Sequence, residues 1–463
     1  MSGLALIAVF LVIAFALPRP GSVTPEGWRL TGIFAATILG LMLQPIPGGA
    51  LVLIAVAASA LVGGLSIEQA LAGYADPTVW LVLAAFFVSR ALIKTGLARR
   101  IALFFVRLVG RSSLGVSYAL ALSDMVLASI IPSNAARSGG VILPIARAIA
   151  ELYGSHPGAT ASLLGSFLMI GVYQGICVTA AMFYTGQASN PLAARIAESQ
   201  VGYEVTWLGW FLAGLAPGLC SLAAAPYVAY RLNPPGIKQT PQAAEFAARE
   251  LESMGRLGRG EKLVGLVFLT VCGLWVTSPW HRTDISIPAL LGAAALLVCG
   301  VLDWEDVKSE KSAWDIFIWY GGLLRLGKAL NDAGVTSEFA KALGSTLSSL
   351  HWVLIFLAAL LIYFYAHYMF ASITAHILAM YPPFLGVLIA TGAPVGLVVF
   401  GFACFTNLAA GLTHYGTTPA PMYYAQDYVS FRQWWKTGLV CSVVNILIWC
   451  TVGFAWWKLL RIW

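Results

Sequence analysis

The feature that most constrains this chain is the length of its apolar runs. Stretches such as 160–184, 205–230 and 436–457 carry at most one charged residue each. Each is long enough to cross about 30 Å of hydrocarbon as a helix. About fifteen apolar runs, some shorter, lie between 4–17 and 436–457. Strands of a membrane barrel alternate apolar and polar residues, and these runs do not, so the helix is the spanning element. Composition agrees: 59% of residues are apolar and 10% are charged, against about 25% charged in soluble domains. The chain is predicted to be an all-α polytopic membrane protein. Leu4 to Leu17 has no basic stretch before it and no small-residue cleavage site ahead of Pro18 and Pro20. It therefore reads as a first span rather than a signal peptide.

The formal net charge of +7 does not point to nucleic acid, because the basic residues stand in short loops beside the spans. The expected partner is the lipid bilayer. Lys94, Arg99, Arg100, Arg107 and Arg111 form one basic stretch. Ile101, Leu103, Phe104 and Leu108 lie between these charges, as in a helix lying along a membrane surface. Arg231, Lys238, Arg249, Arg256, Arg259 and Lys262 form a second stretch, and Lys308 and Lys311 a third. Such loops face the cytoplasm, which predicts a multi-pass protein of the cell's inner (cytoplasmic) membrane. Cys177, Cys220, Cys272, Cys299, Cys404, Cys441 and Cys450 stand singly in apolar sequence. None has metal-ligand spacing, so no disulfide framework, metal or cofactor is expected.

Several runs are too short for a normal span. The pairs 112–131 with 138–153, and 350–371 with 376–391, are separated by only a few polar residues. They read as re-entrant hairpins whose polar tips are held inside the protein. The two halves also match each other. Arg90-Ala91-Leu92 with Gly96-Leu97 matches Lys328-Ala329-Leu330 with Gly334-Val335. Ser133 to Arg137 matches Ser372 to His376, Pro144 matches Pro383, and Gly186 with Pro191 matches Gly416 with Pro421. The blocks recur in order at nearly constant separation, which predicts a duplication. An odd number of crossings lies between equivalent points, so the repeats are expected to be inverted. The predicted organisation is 1–77 as N-terminal scaffold helices and 78–231 as a first repeat with hairpin 112–153. A cytoplasmic linker follows over 232–261, then a second repeat over 262–463 with hairpin 350–391. Inverted repeats with broken helices place a site near the membrane midplane, and that favours transport.

The polar residues gather at the interruptions. The first tip, Pro132 to Gly140, offers the Ser133 hydroxyl, the Asn134 amide and free N–H groups where a helix restarts. Such groups suit an anion. The second tip, Phe370 to His376, keeps the hydroxyls of Ser372 and Thr374 but has Ile373 where the first has an amide. Broken helices are predicted at 185–191, with Gly186, Ser189 and Asn190, and at 413–421, with Gly416, Thr417, Thr418 and Pro419. Arg137 and His376 stand at equivalent positions after the two tips. A charge at membrane depth is expensive and marks function. An enzyme would need paired carboxylates or a metal set. Asp124 has no clear partner in sequence and reads as a helix-packing or tip-stabilising residue. His351, His367 and His376 lack an intervening acid at ligand spacing. The chain is not expected to be an enzyme.

These tips, together with Asn407, the run Gly411 to Gly416, Pro419-Ala420-Pro421 and Trp434-Trp435, resemble the divalent anion–sodium symporter (DASS) family. The likeness covers nearly the whole chain. It is nearest to the bacterial citrate–succinate and plastid 2-oxoglutarate–malate translocators. The resemblance implies a homodimer working as an elevator, with a fixed scaffold and a moving transport domain. It also implies that a Ser-Asn-Thr motif at each tip holds substrate carboxylates. Here the motifs are Ser133-Asn134-Ala135 and Ser372-Ile373-Thr374. Arg137 and His376 lie where the family's symporters bind sodium, so they are expected to act as fixed counter-cations. The expected activity is sodium-independent antiport of di- or tricarboxylates such as malate, succinate or citrate. Sodium-coupled dicarboxylate symport is the alternative.

Overall fold

The computed structural model describes residues 2–338 and 351–463; the expected hairpin boundary at Leu350 lies outside the described residues. Among these residues the elements are helical, and the β-type pairing is one isolated bridge between Ser112 and Gln239. Six helices are long and apolar enough to cross a membrane: Pro77–Lys94, Gly165–Met182, Trp207–Leu232, Trp352–Met369, Ile373–Ala390 and Phe431–Leu459. Shorter apolar helices include Ser113–Ala128, Ser286–Val298 and Val395–Ala409. Large apolar side chains such as Leu61, Leu269, Val298 and Leu447 point outward. In water that surface would drive aggregation; against lipid chains it is the matching solvent.

Local sequence sets the helix boundaries. Thr24 caps the helix Pro25–Leu43 by accepting from the Gly27 N–H at 3.1 Å, with Pro25 at its first position. Asp76 caps Pro77–Lys94 through the Thr78 N–H at 2.9 Å. These side chains satisfy donors that a helix start leaves without intrahelical partners. Gly96 and Gly334 lie in the left-handed region, at φ 82° and 78°. They turn the chain after two helices that match in sequence.

The helix Gly165–Met182 is the centre of the molecule, and every one of its residues is buried. It packs against Ser113–Ala128, Trp207–Leu232 and Val395–Ala409. Small residues permit these approaches: Gly175 lies against Ala121, and a Cβ on Gly171 would meet the Ser117 hydroxyl. Without a hydrophobic drive between helices in lipid, close packing and hydrogen bonds carry the association. Here the Tyr173 hydroxyl donates to the Ala410 carbonyl at 2.7 Å, and the Gln174 amide to the Gly411 carbonyl at 2.7 Å.

Segment 232–261 is more structured than a linker. It contains the helix Pro241–Ser253, which docks along the amphipathic helix Leu97–Val109. Arg99 pairs with Glu250 and Arg100 with Glu261, each at 2.6 Å. The backbone joins as well, from the Thr240 N–H to the Arg111 carbonyl at 2.8 Å and from the Ser113 N–H to the Lys238 carbonyl at 3.0 Å. Nearby, Asp306 receives Lys94 and, at 3.5 Å, Arg90.

Candidate functional site

Four helix interruptions meet around one cavity of about 340 Å³. At the first, Ser113–Ala128 ends and the chain is irregular to Ser133. Pro132 lacks an N–H and steers its neighbour away from helix. The Ser133 hydroxyl then accepts from the Ala136 N–H at 3.1 Å, and a helical path resumes through a wide turn over Ala135–Ile142 into Leu143–Leu152. Ser138, Gly139 and Gly140 belong to that helical path, not to the break as the sequence suggested. The wide turn absorbs them without ending the helix.

Arg137 is fully buried and makes four hydrogen bonds. Nε donates to Asp124 Oδ1 at 2.7 Å. Nη1 donates to the carbonyls of Ile131 at 2.8 Å and Gly186 at 3.0 Å, and Nη2 to Asn134 Oδ1 at 2.8 Å. The Thr179 hydroxyl donates to the other oxygen of Asp124. Asp124, for which the sequence offered no clear partner, thus pairs with Arg137 and holds the tip, in keeping with its tip-stabilising reading. Thirteen residues separate it from Arg137 along the chain, a spacing that no local pattern signals, and the tip folds back to bring them together. The consequence is electrostatic: the Arg137 charge is already balanced whether or not an anion is bound. With Oδ1 taken by Arg137, Asn134 turns its Nδ2 to Gln187 Oε1 at 2.6 Å.

The second tip has the same frame with different chemistry. Trp352–Ala366 ends in a tight turn over His367–Met369, and Ser372 caps Ile373–Ala390 by accepting from the Ala375 N–H at 3.4 Å. His376 does not copy Arg137. Its ring is enclosed by Tyr363 at 4.3 Å, His367 at 4.9 Å and Phe370 at 5.2 Å. Charge on both imidazoles at that separation would be self-repelling. The side chain that reaches the broken helix is His367, whose Nε2 lies 2.8 Å from the Gly416 carbonyl. His367 thus does for Gly416 what Arg137 does for Gly186.

The broken helices stop at Met182 and Ala409 and restart at Ser189 and Pro419. Asn190 holds the first break shut. Its Nδ2 donates to the Ala180 and Phe183 carbonyls, both at 2.8 Å, and its Oδ1 accepts from Asn407 Nδ2 at 2.8 Å. That last bond joins the two halves in a fully buried place. At Gly411 a Cβ would stand 2.7 Å from Gln174 Oε1, so a larger residue there would displace the Gln174 amide.

Of the residues singled out from sequence, Ser133, Asn134, Ala135, Ser189, Ser372, Ile373, Thr374, Thr417 and Thr418 line the cavity. Gly186, Asn190, Gly416, Pro419, Arg137 and His376 are not part of the lining. Gln187 and Ala188 line it from the first broken helix. The opposite wall comes from Leu41, Gln44, Ile46 and Gly48, from Phe86, and from one stripe of the helix Lys311–Asp332: Ser312, Asp315, Ile316, Trp319 and Leu323. Among the described residues, Asp315 is the one charged side chain in the lining. Restarting helices at Ala135, Ser189 and Ile373 aim N–H groups and positive dipole ends at the cavity. Sequence reasoning missed His367 as a tip residue and missed Asp315. The available signal for Asp315 was a carboxylate inside an apolar run.

Comparison with known proteins bears on this arrangement. The family model described as the sodium:sulfate symporter transmembrane region matches residues 1–463. A putative malate transporter of Bacillus subtilis is 43% identical over 458 residues, covering 99% of this chain and 96% of the relative. The chloroplastic dicarboxylate transporter 1 of Arabidopsis thaliana is 40% identical over 463 residues, covering 99% and 83%. An inner membrane protein of Escherichia coli is 34% identical over 471 residues, covering 99% and 97%.

Proposed function

The chain belongs to the divalent anion–sodium symporter (DASS) family, and from that premise we propose that it exchanges dicarboxylates across the cytoplasmic membrane without sodium. Family and relatives are transporters, so the chain is not an enzyme. The malate and dicarboxylate transporters among its relatives support malate or another dicarboxylate as substrate. The substrate carboxylates lie between the tips, against Ser133, Asn134, Ser372, Thr374, Thr417 and Thr418, with helix N-termini meeting their charge. Ala135 and Ile373 shape the site without donating.

The observation that carries sodium independence is the seat of Arg137. Its guanidinium lies among the oxygens of Ile131, Gly186, Asn134 and Asp124, an all-oxygen environment of the kind that hard cations choose. A tethered cation needs no ion from solution. His376 is the weaker member of the expected pair, since it offers no comparable contact with oxygen.

Because Asp124 balances Arg137, the cost that forbids empty crossing is not an unpaired charge. It is the tip donors, most of which would lack partners in passing a wall where Leu41, Phe86, Ile316 and Trp319 are apolar and Gln44, Ser312 and Asp315 are the polar exceptions. Each buried unsatisfied group costs about 1–3 kcal/mol, so loaded carriers move and empty ones do not.

In this reading the protein is a homodimeric elevator. Residues 1–77 contribute to the scaffold, the repeats 78–231 and 262–463 are inverted, and the two tips travel with the substrate. The parallel caps at Ser133 and Ser372, and the paired left-handed glycines 96 and 334, support the duplication. Tricarboxylates such as citrate remain within the proposed substrate class. The match to a sodium:sulfate symporter region favours the second reading, sodium-coupled symport. Counterflow in proteoliposomes tests the first. Labelled malate should enter only vesicles preloaded with unlabelled dicarboxylate; equal entry into empty vesicles would defeat exchange.

A further inference from the structure

A cavity proposed to hold a dianion has a carboxylate as its one charged lining residue among those described. Asp315 lies on the scaffold side, opposite the tips. It stands on the stripe formed by Ser312, Ile316, Trp319 and Leu323, spaced three and four residues apart as one helix face requires. Its side chain has no ion-pair partner among the described residues, so its charge is not cancelled locally. Its carboxylate lies close against the backbone at Gly49, where an added Cβ would collide with Oδ1.

We infer that Asp315 is a specificity-determining residue that sorts substrates by charge, admitting dicarboxylates and disfavouring tricarboxylates. The inference rests on the transport reading above. A fixed negative charge repels every anion in the cavity, but it repels a trianion by one charge more than a dianion. Apolar surroundings cannot make that distinction, and the hydroxyls and N–H groups of the tips would favour the extra carboxylate. The scaffold acid supplies the opposing force. At roughly 10 Å and an effective dielectric of about 20, one added charge is disfavoured on the order of tenfold at low salt. Screening at 0.15 M ionic strength reduces this to about two- to threefold. The discrimination is therefore salt-dependent, unlike one set by cavity size.

The test uses the full chain in proteoliposomes exchanging labelled malate, at a pH where all substrate carboxyls are ionised. Unlabelled succinate and citrate compete, and the ratio of their half-inhibitory concentrations is read. Asp315→Asn keeps the shape and the Gly49 contact but removes the charge. Its citrate-to-succinate ratio should fall about tenfold relative to wild type at low salt. In the wild type the ratio should fall as impermeant salt is raised, and in the variant it should stay flat. An unchanged ratio in Asp315→Asn, or the same salt response in both proteins, overturns the inference. If the variant does not fold, a salt-independent ratio in the wild type overturns it alone. Failure of the transport reading looks different: wild type exchanges no malate. The ratio is then taken from thermal shifts with succinate and citrate, and the same outcomes decide.

Discussion

Replacing Arg137 with alanine separates a structural role from a cationic one. The substitution strands Asp124, which is fully buried. Removing one partner of a buried ion pair costs about 3–5 kcal/mol. The Ile131 and Gly186 carbonyls and Asn134 Oδ1 lose their shared donor as well, and each loss is worth about 1–3 kcal/mol unless water or an ion replaces it. The variant should unfold well below the wild type when heated in detergent with choline as the only monovalent cation. At about 2 °C per kcal/mol for a chain larger than typical domains, the deficit is on the order of 8 °C or more. The vacated space is lined by oxygens, one of them charged. Sodium should therefore return part of the loss, about 1.4 kcal/mol at ten times its dissociation constant. Wild type should show no such response. A variant as stable as wild type, or one whose melting ignores sodium, would refute the idea that the guanidinium occupies a cation's place.

Two further outcomes follow from the same packing. Asn407→Ala removes the 2.8 Å bond to Asn190 that joins the halves; a loss of about 1–3 kcal/mol in thermal unfolding is expected, together with slower exchange, and an unchanged melting point would count against that bond. On the membrane surface, burial alone would raise the Asp306 carboxyl, but the Lys94 ammonium, the Asp303 backbone and the Arg90 charge outweigh it and hold it below its ordinary 3.8. Its contribution is therefore present above that value and lost as pH falls through the lower folded one. Asp306→Asn should flatten that acid limb in a melting-temperature profile against pH.

Much of the fold was legible because lipid permits few solutions. Runs without charge specify helices, and Pro, Gly and hydroxyl residues inside them specify interruptions. The breaks at 183–188 and 410–418 stand close to where Gly186 and Gly416 suggested. The partnerships across those breaks were not legible. Arg137 meets Asp124 and Gly186, and His367 meets Gly416, through folding back of the chain. Equivalence in sequence suggested His376 as the mate of Arg137, yet aromatic rings enclose it. Position within a repeat fixes backbone path more firmly than it fixes the use of a side chain. The docked helix Pro241–Ser253 was hidden for a similar reason, since its charges pair with residues of a distant segment.

The central claim is that a tethered guanidinium replaces a sodium ion in the exchange cycle. The rate of malate–malate exchange in proteoliposomes, with all sodium replaced by choline on both sides, tests it most directly. The predicted rate equals that in sodium buffer at the same ionic strength. A fall to the protein-free background, restored in proportion to added sodium, would contradict it.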